Sequence, residues 1–396
     1  KACFHVCHRY VQLAGHESGG HRRVDVAVHH DESRWRGEEL LLVLQGGGAL
    51  GAYQVGVYQA LHEAGIEPDW VIGTSIGAIN GAIIAGNPPE KRLERLNAFW
   101  HSVEQTGSAD CTGWNPWLTS FVANAATVTS GVKGFFSPNP GALLSLHAAV
   151  GPERAAFYST KPLGATLAQL IDFDYINARH SRLTLGAVNV KSGGMHYFDN
   201  RNAALDARHV MASGALPPAF PAVDIDGDLF WDGGIYSNTP IEVVLDDKPR
   251  RNSLIFAANM WHSSGPAPES IWQVLGRQKD IQFASREKSH VQRQQQIHRL
   301  RHIIRDLGRC LPAAQRDDPA VKKLLGYGCA TIMHVVPLLA PRIDTEDHMK
   351  DIDFTAAGIR ARRNAGYEAT TRALRLAPWR GEVDAMDGVI VHDSGG

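Results

Sequence analysis

The chain has 396 residues, a length that predicts one large α/β unit with extensions or two to three smaller pieces. Hydrophobic residues make up 44% and charged residues 20%, which is ordinary globular composition and excludes a disordered, collagenous or coiled-coil chain. Forty Lys and Arg against forty-one Asp and Glu leave a net charge of -1, so we predict no nucleic-acid partner, and an anionic membrane would need a local basic patch.

Residues 1–37 are rich in His and Arg, and we interpret them as an N-terminal extension. Cys3, His5, Cys7 and His8 are candidate metal ligands, but they lack paired Cys-x2-Cys spacing, so a loosely docked arm is the favoured interpretation and we predict no metal. The cysteines are odd in number, five, and irregularly spaced, which favours a reducing compartment such as the cytoplasm. Because the chain starts at Lys1, a cleaved signal peptide and secretion stay open. No apolar run approaches the ~18 residues of a transmembrane helix.

Two strand–loop–helix units open the predicted core. The apolar run Leu40–Leu44 has the length of a buried parallel strand and leads into Gln45-Gly-Gly-Gly48, after which apolar residues recur at helical spacing up to Gly65. Residues 70–72 form a second strand that enters Gly73-Thr-Ser-Ile-Gly77 and a helix over 78–85. This alternation predicts an α/β sheet with parallel strands.

Later segments complete that core. A helix is predicted over 88–103, a strand over 182–190, and a hairpin over 223–231 that delivers Asp232-Gly-Gly234. Residues 111–157 contain several aromatic residues among Gly, Pro, Ser and Thr: Trp114, Trp117, Phe121, Phe135 and Phe136. These aromatics either pack loops on the core or form a lid or an apolar wall for an acyl chain.

The C-terminal part is helical and basic. Between Arg277 and Arg309 there are nine Lys or Arg against three Asp or Glu, and the helical spacing of Ile297, Leu300, Ile304 and Leu307 predicts an apolar face that docks on the core. A helix on a membrane surface is the alternative. We therefore divide the chain into an extension (1–37), a catalytic core (38–262), a C-terminal helical extension with one core strand at 331–337 (263–378) and a tail (379–396).

Ser75 is the candidate nucleophile. Residues 73–77 match G-x-S-x-G between a strand and a helix, where Gly73 and Gly77 let the backbone turn sharply and leave no side chain to crowd the serine. Backbone N–H groups of Gly46, Gly47 and Gly48 could stabilise an oxyanion beside it.

The same glycine loop also fits a dinucleotide-binding pattern through Gly46, Gly48 and Gly51. That pattern requires an acidic residue at the end of the next strand, where Ser75 lies instead, so a dinucleotide site is excluded and we predict no cofactor.

The base that would activate Ser75 lies in no comparable local motif. Ser75 follows only the second strand, which disagrees with the topology of an α/β-hydrolase triad, and His262, His302 and His334 lie in no recognisable motif. An aspartate of ordinary pKa, ~3.9, is ionised at pH 7, so Asp232 could accept the Ser75 proton directly. The alternative role of Asp232 is that of a turn residue.

Taken together, Gly46-Gly-Gly-Ala-Leu-Gly51, Gly73-Thr-Ser-Ile-Gly77 and Asp232-Gly-Gly234 resemble the patatin-like phospholipase family, and Met211-Ala-Ser-Gly-Ala-Leu-Pro-Pro218 resembles a stretch that many members carry before the aspartate. The resemblance is greatest to a bacterial subgroup with a C-terminal helical extension. It implies a three-layer α/β/α sandwich with a mostly parallel central sheet. It also implies a Ser75–Asp232 dyad, an oxyanion hole at Gly46–Gly48, and Gly233 and Gly234 in the aspartate motif.

The resemblance also implies a lipid acyl hydrolase without a metal. Many relatives have Arg or Lys where this chain has Leu50, so simple carboxylic esters or neutral lipids become as well supported as phospholipids. The sequence thus predicts hydrolysis of a lipid or ester through an acyl-enzyme, with peripheral membrane contact as a further expectation. An acyltransferase with the same nucleophile and a non-catalytic lipid-binding or storage protein are the alternatives, and the oligomeric state is not predicted.

Overall fold

The fold is taken from a computed structural model that describes residues 38–105, 127–142, 146–284, 287–343, 348–384 and 386–393. The Cys3, His5, Cys7 and His8 cluster, together with Trp114, Trp117 and Phe121, lies outside the described residues.

The described strands form one large sheet and one small ribbon. In chain order the strands are β1 (Glu39–Leu44), β2 (Trp70–Thr74), β3 (Ser137–Pro138), β4 (Tyr158–Ser159), β5 (Arg182–Asn189), β6 (Met195–Asp199), β7 (Val223–Ile225), β8 (Asp228–Asp232), β9 (Ser253–Asn259), β10 (Met333–Leu339) and β11 (Val389–Val391). The large sheet has the order β11-β10-β9-β1-β2-β5-β8-β7, with β6 also paired to β5, while β3 and β4 pair with each other. The strands from β11 to β5 run parallel, and β6, β7 and β8 are antiparallel to their neighbours, so the sheet is mostly parallel, as predicted.

Helices connect these strands. The described α-helices are α1 (Ala52–Glu63), α2 (Ile76–Ala85), α3 (Pro89–Ser102), α4 (Lys161–Leu170), α5 (Phe173–Asn177), α6 (Ala207–Ser213), α7 (Glu242–Leu245), α8 (Ile271–Ala284), α9 (Glu287–Cys310), α10 (Ala313–Arg316), α11 (Pro319–Leu325) and α12 (Ala356–Leu376). Short 3-10 helices occupy Gly48–Gly51, Gly233–Ile235, Lys350–Ile352 and Pro378–Arg380. None of these described helices is long and apolar enough to cross a membrane.

The sheet is covered on both faces. Alternate residues of β1 point to opposite sides, so Leu41 and Val43 belong to a cluster with residues of α7 and α9, while Leu44 lies against α2 on the other face. On that second face α12 crosses α1 closely, because Gly56 and Gly366 let each backbone approach the other helix. The three-layer α/β/α arrangement is therefore confirmed.

The edge of β5 that faces β2 brings the ends of two strands together. On this edge β2 runs parallel to β5 and ends with Thr74 opposite Gly186, while β8 runs antiparallel and ends with Asp232 opposite Ala187. Both strands lie on the side of β5 away from β6, since Gly186 and Ala187 pair with β6 on their other side. The carboxyl ends of β2 and β8 therefore meet head-on, which places the residues that follow them beside each other.

The C-terminal region contributes more to the sheet than one strand. Val389–Val391, within the segment interpreted as a tail, forms β11 and pairs with β10. Residues from both sides of position 262, the predicted end of the catalytic core, therefore build the same sheet.

The predicted docking face of the basic helix is wrong. In α9, Leu300 and Leu307 are 60% and 61% exposed, whereas the buried residues among those whose burial the structure describes are Val291, Gln294, His298, His302 and Gly308. The two imidazoles lie within hydrogen-bond distance of backbone carbonyls, those of Leu245 at 3.2 Å and Thr331 at 3.0 Å, so polar side chains are accommodated in the interface. The membrane-surface alternative for this helix stays a prediction.

Candidate active site

Ser75 occupies a strained turn between β2 and α2. Its backbone has φ 57° and ψ -124°, a left-handed conformation that is rare for a residue with a side chain and is typical of a nucleophile elbow. A Cβ at Gly73 would lie 2.2 Å from the Gly77 carbonyl oxygen, and a Cβ at Gly77 would lie 2.2 Å from the Leu44 carbonyl oxygen. Both glycines are thus required by the close approach of backbone to backbone that the turn imposes.

Asp232 lies beside Ser75 and is buried. Asp232 is 2% exposed and accepts a hydrogen bond from the Gly234 N–H at 2.7 Å, and the Ser75 hydroxyl lies close enough to interact with the same carboxyl group. Burial raises the pKa of Asp232 from 3.8 to about 7, and these two interactions oppose that rise only in part. The ordinary pKa assumed from sequence is therefore wrong, because the amino-acid pattern does not reveal that the carboxyl group is withdrawn from water.

Histidine plays no visible part in this arrangement. Among the described residues, no histidine lines the cavity that contains Ser75 and Asp232. His302 approaches the Thr331 carbonyl oxygen at 3.0 Å, and His334 approaches His392 with 2.8 Å between ring nitrogens. Among the described residues, the cavity thus brings Asp232 rather than a histidine together with Ser75.

In the glycine loop, residues 46–48, one backbone N–H makes an internal hydrogen bond, and the other two belong to residues that line the cavity. Gly46 donates its N–H to the Asn238 carbonyl oxygen at 3.2 Å, so that donor is already used. Gly47 and Gly48 come at the start of the short helix Gly48–Gly51, where first-turn N–H groups have no carbonyl of their own helix to bond. All three glycines line the cavity with Ser75.

Sequence reasoning missed three residues that hold this loop. Asn238 donates its side-chain amide to the Gly46 carbonyl oxygen at 3.0 Å, and the Trp261 indole N–H donates to the same oxygen at 2.8 Å. Gln45 is fully buried, donates to Thr239 Oγ1 at 2.7 Å and accepts from the Trp261 backbone N–H at 3.1 Å. A polar residue at the end of the apolar run, as Gln45 is, was the available signal; nothing local marked Asn238 or Trp261.

The 211–218 stretch orients both members of the dyad. The Ser75 N–H points between the carbonyl and hydroxyl oxygens of Ser213, each at 3.1 Å, and the Asp232 N–H donates to the Ala215 carbonyl oxygen at 3.0 Å. Ser213 is itself fixed, because its hydroxyl donates to the Gly186 carbonyl oxygen at 2.6 Å. The stretch that resembled a family motif therefore acts as a backbone template for the dyad.

A cavity of about 160 Å³ opens beside Ser75. Most of its described lining is apolar: Ile76, Ile79, Val128, Phe135, Phe136, Leu216, Ala219, Phe220, Phe283, Ile352 and Phe354. Of the aromatic stretch in the sequence, Phe135 and Phe136 line this cavity and are also buried in the core, so both interpretations stay open for them. Such a lining suits the acyl part of a substrate.

No group of three or more His, Cys, Asp or Glu is placed to hold a metal ion in the part of the chain that the structure describes. The groups placed with Ser75 in the cavity include the Asp232 carboxyl group and the backbone of the glycine loop.

Comparisons with known protein families agree with the motifs. A family model described as patatin-like phospholipase matches residues 42–245, which is more than half of the chain and contains Ser75 and Asp232. A second model, described as patatin phospholipase, matches residues 281–386.

Similar curated proteins share short segments with this chain. Lysophospholipase nte1 of Aspergillus terreus is 56% identical over 57 residues, which cover 14% of this chain and 4% of that protein. Patatin-like phospholipase domain-containing protein 6 of Mus musculus is 42% identical over 83 residues, covering 20% and 6%. Lysophospholipase NTE1 of Candida glabrata is 26% identical over 248 residues, covering 61% and 12%. The chain thus spans only a small part of the length of these relatives.

Solved structures include distant matches. VipD from Legionella pneumophila aligns with 90% of this chain and 72% of its own, with 14% sequence identity and a TM-score of 0.33. The type III effector ExoU aligns with 84% of this chain and 52% of its own, with 14% identity and a TM-score of 0.27.

Proposed function

This chain belongs to the patatin-like phospholipase family, and from that membership and the site geometry we propose that it is a serine acyl hydrolase acting on lipid or carboxylic esters. The observation that carries the proposal is the placement of the Ser75 hydroxyl beside the buried Asp232 carboxyl group in one apolar cavity. The lysophospholipase names of its relatives support the lipid substrate.

Asp232 acts as the general base. As the Ser75 oxygen attacks the substrate carbonyl carbon, the hydroxyl proton moves to the neighbouring Asp232 carboxylate. A base whose pKa is about 7 combines a large deprotonated fraction at neutral pH with the strongest driving force for taking the proton.

The tetrahedral intermediate carries its negative charge on the former carbonyl oxygen. The N–H groups of Gly47 and Gly48 stabilise that oxyanion, and the N-terminus of α2 adds a partial positive charge at Ser75. When the intermediate collapses, the alcohol leaves with the proton from Asp232 and the acyl group stays on Ser75.

Water completes the turnover. Asp232 removes a proton from a water molecule that attacks the acyl-enzyme, and the second tetrahedral intermediate releases the carboxylic acid as the proton returns to Ser75. Leu50 is buried at 5% exposure, so the position that is basic in many relatives presents no cation here, which leaves neutral esters as suitable as phospholipids.

The experiment combines an active-site probe with ester hydrolysis. We expect a fluorophosphonate to label Ser75, Ser75→Ala to lose p-nitrophenyl ester hydrolysis by at least ~10³-fold, and Asp232→Asn to lose at least ~10²-fold. The kcat/KM of the wild type should fall as pH drops below about 7, because Asp232 then holds a proton and cannot accept another.

His262→Ala is the matched control, since His262 is the first histidine after Asp232 in the chain and does not line the cavity. It should retain its turnover. A His262 variant as inactive as Ser75→Ala would favour a triad over the dyad, and undiminished hydrolysis by Ser75→Ala would contradict the whole assignment.

A further inference from the structure

The size of the acyl cavity limits the chain that it can enclose. Its volume is about 160 Å³, close to the ~150 Å³ of an apolar cavity that holds benzene, a molecule of six carbon atoms. An acyl chain attached to Ser75 therefore fills this space at about six carbon atoms.

The wall of the cavity is backed by a second aromatic layer. Phe354 lines the cavity at 1% exposure, stacks on Trp100 with 6.4 Å between ring centroids, and meets Phe135 edge-on at 6.0 Å. Phe135 in turn meets Phe99 at 6.5 Å, and neither Phe99 nor Trp100 belongs to the described lining. Because protein interiors are packed as densely as organic crystals, a longer chain cannot push Phe354 back without disturbing this layer.

The backbone that carries Phe354 is also held in place. Its carbonyl oxygen accepts a hydrogen bond from the Gln105 N–H at 3.0 Å. Three residues earlier, Asp351 forms an ion pair with Lys279 at 2.7 Å, and its carbonyl oxygen lies directly over Gly48. Phe354 is thus held by Gln105, which follows α3, and the segment before Phe354 is held to α8 through Asp351 and Lys279.

We propose that the enzyme prefers esters of short acyl chains, with an optimum near six carbon atoms, and that Phe354 determines this upper limit. The inference rests on the proposed function, because it assumes an acyl group on Ser75. Within the cavity each additional buried CH2 raises kcat/KM by about fourfold. Beyond its capacity a further methylene gains no apolar contact.

A series of p-nitrophenyl esters from acetate to dodecanoate, each below its micelle-forming concentration, tests the proposal. We expect kcat/KM to rise steeply up to hexanoate and to stop rising or fall from octanoate onward. A continued rise through dodecanoate, with hydrolysis still dependent on Ser75, overturns the proposal and leaves the proposed function intact. Absence of Ser75-dependent hydrolysis at every chain length overturns both.

Three variants separate a specific role of Phe354 from a structural one. Phe354→Leu makes a lining side chain smaller and should move the optimum to longer chains. Ala219→Leu makes a lining side chain larger, fills part of the cavity and should move the optimum to shorter chains. Phe256→Leu is the matched control, since Phe256 is equally buried, packs on Trp379 and does not line the cavity. It should keep the optimum of the wild type.

An unchanged optimum in Phe354→Leu, or the same shift in Phe256→Leu, overturns the assignment of Phe354. If Phe354→Leu does not fold, the shift in Ala219→Leu decides whether cavity volume sets the chain length, and an unchanged optimum there overturns it.

Discussion

Burial gives Asp232 a proton affinity that no ordinary surface aspartate has. Its pKa rises to about 7 by desolvation, and the groups that oppose the rise are two hydrogen-bond donors, the Ser75 hydroxyl and the Gly234 N–H. In the proposed mechanism this burial gives a base suited to neutral pH, and it also places a charge in a poorly solvated position when the proton leaves. Reactivity and stability are therefore opposed at this residue.

Replacement of Asp232 by asparagine should reveal that opposition. In the unfolded chain Asp232 has its usual pKa of 3.8, against about 7 in the folded protein. The folded state thus binds the proton more tightly, and the stability of the wild type falls as pH rises from about 4 through about 7. The loss is on the order of 4 kcal/mol, since each pKa unit corresponds to about 1.4 kcal/mol. Asparagine keeps the size and the acceptor oxygen but carries no charge.

Thermal unfolding of both proteins between pH 4 and pH 8 measures the effect. Asp232→Asn should be more stable than the wild type at pH 8, with a difference that shrinks toward pH 4. A difference that does not vary with pH would show that the charge of Asp232 has no such influence.

Among the structural elements, the strands β2 and β8 decide where the site forms. Sequence motifs predicted Ser75 and Asp232 individually, because a strand, a glycine and a turn residue are local features. They did not predict that both strands end on the same edge of β5, opposite Gly186 and Ala187, since strand register is set by contacts distant in the chain. Nor did they predict that Ser213 and Ala215 would fix both backbones.

The short helix Gly48–Gly51 links the oxyanion loop to the C-terminal region. Gly48 has φ +56°, and a Cβ there would lie 2.2 Å from the Asp351 carbonyl oxygen. Gly48→Ala must therefore shift either the glycine loop or the segment that carries Asp351, in addition to the ~1 kcal/mol or more that a left-handed alanine costs. We expect kcat to fall by about 10²-fold or more, the effect of losing an oxyanion donor.

Gly65→Ala provides the comparison for this change. Gly65 also has a positive φ, +70°, but nothing lies within 4 Å of the added Cβ. In thermal unfolding Gly65→Ala should lose only the stability that backbone strain costs, and Gly48→Ala should lose more because of the shift it forces, while Gly65→Ala keeps its kcat. Equal loss of kcat in the two variants would mean that contact with Asp351 is irrelevant to the loop.

For the whole molecule, the sequence predicted the layers and the family better than the role of the C-terminal region. Apolar periodicity identified the core strands, because a strand buried on both faces is a continuous apolar run such as Leu40–Leu44. The same criterion failed in α9, where the exposed Leu300 and Leu307 are apolar and the buried His298 and His302 are polar. Hydrogen bonds across an interface do not appear in a hydrophobic pattern. The bacterial subgroup stays a prediction.

Residues 379–396 were assigned to a tail because the hydrophobic pattern does not reveal β11, a strand of only three residues. Val389 nevertheless pairs with Met333 and belongs to the core cluster that includes β1 and α9. Its side chain is 2% exposed, whereas Val391 of the same strand is 42% exposed. The two valines point to the same face of β11, so they differ mainly in burial.

This difference in burial predicts that substitution by aspartate affects stability strongly at Val389 and weakly at Val391. Val389→Asp would bury an unpaired carboxylate in the core and should lower the free energy of unfolding by at least ~3 kcal/mol. Val391→Asp leaves its charge in water at the strand end and should change it by no more than ~0.5 kcal/mol. Urea unfolding at pH 7 measures both values. Equal stability of the two variants would show that residues 379–396 act as an appended tail, whereas a large loss confined to Val389→Asp makes β11 part of the fold that supports the site.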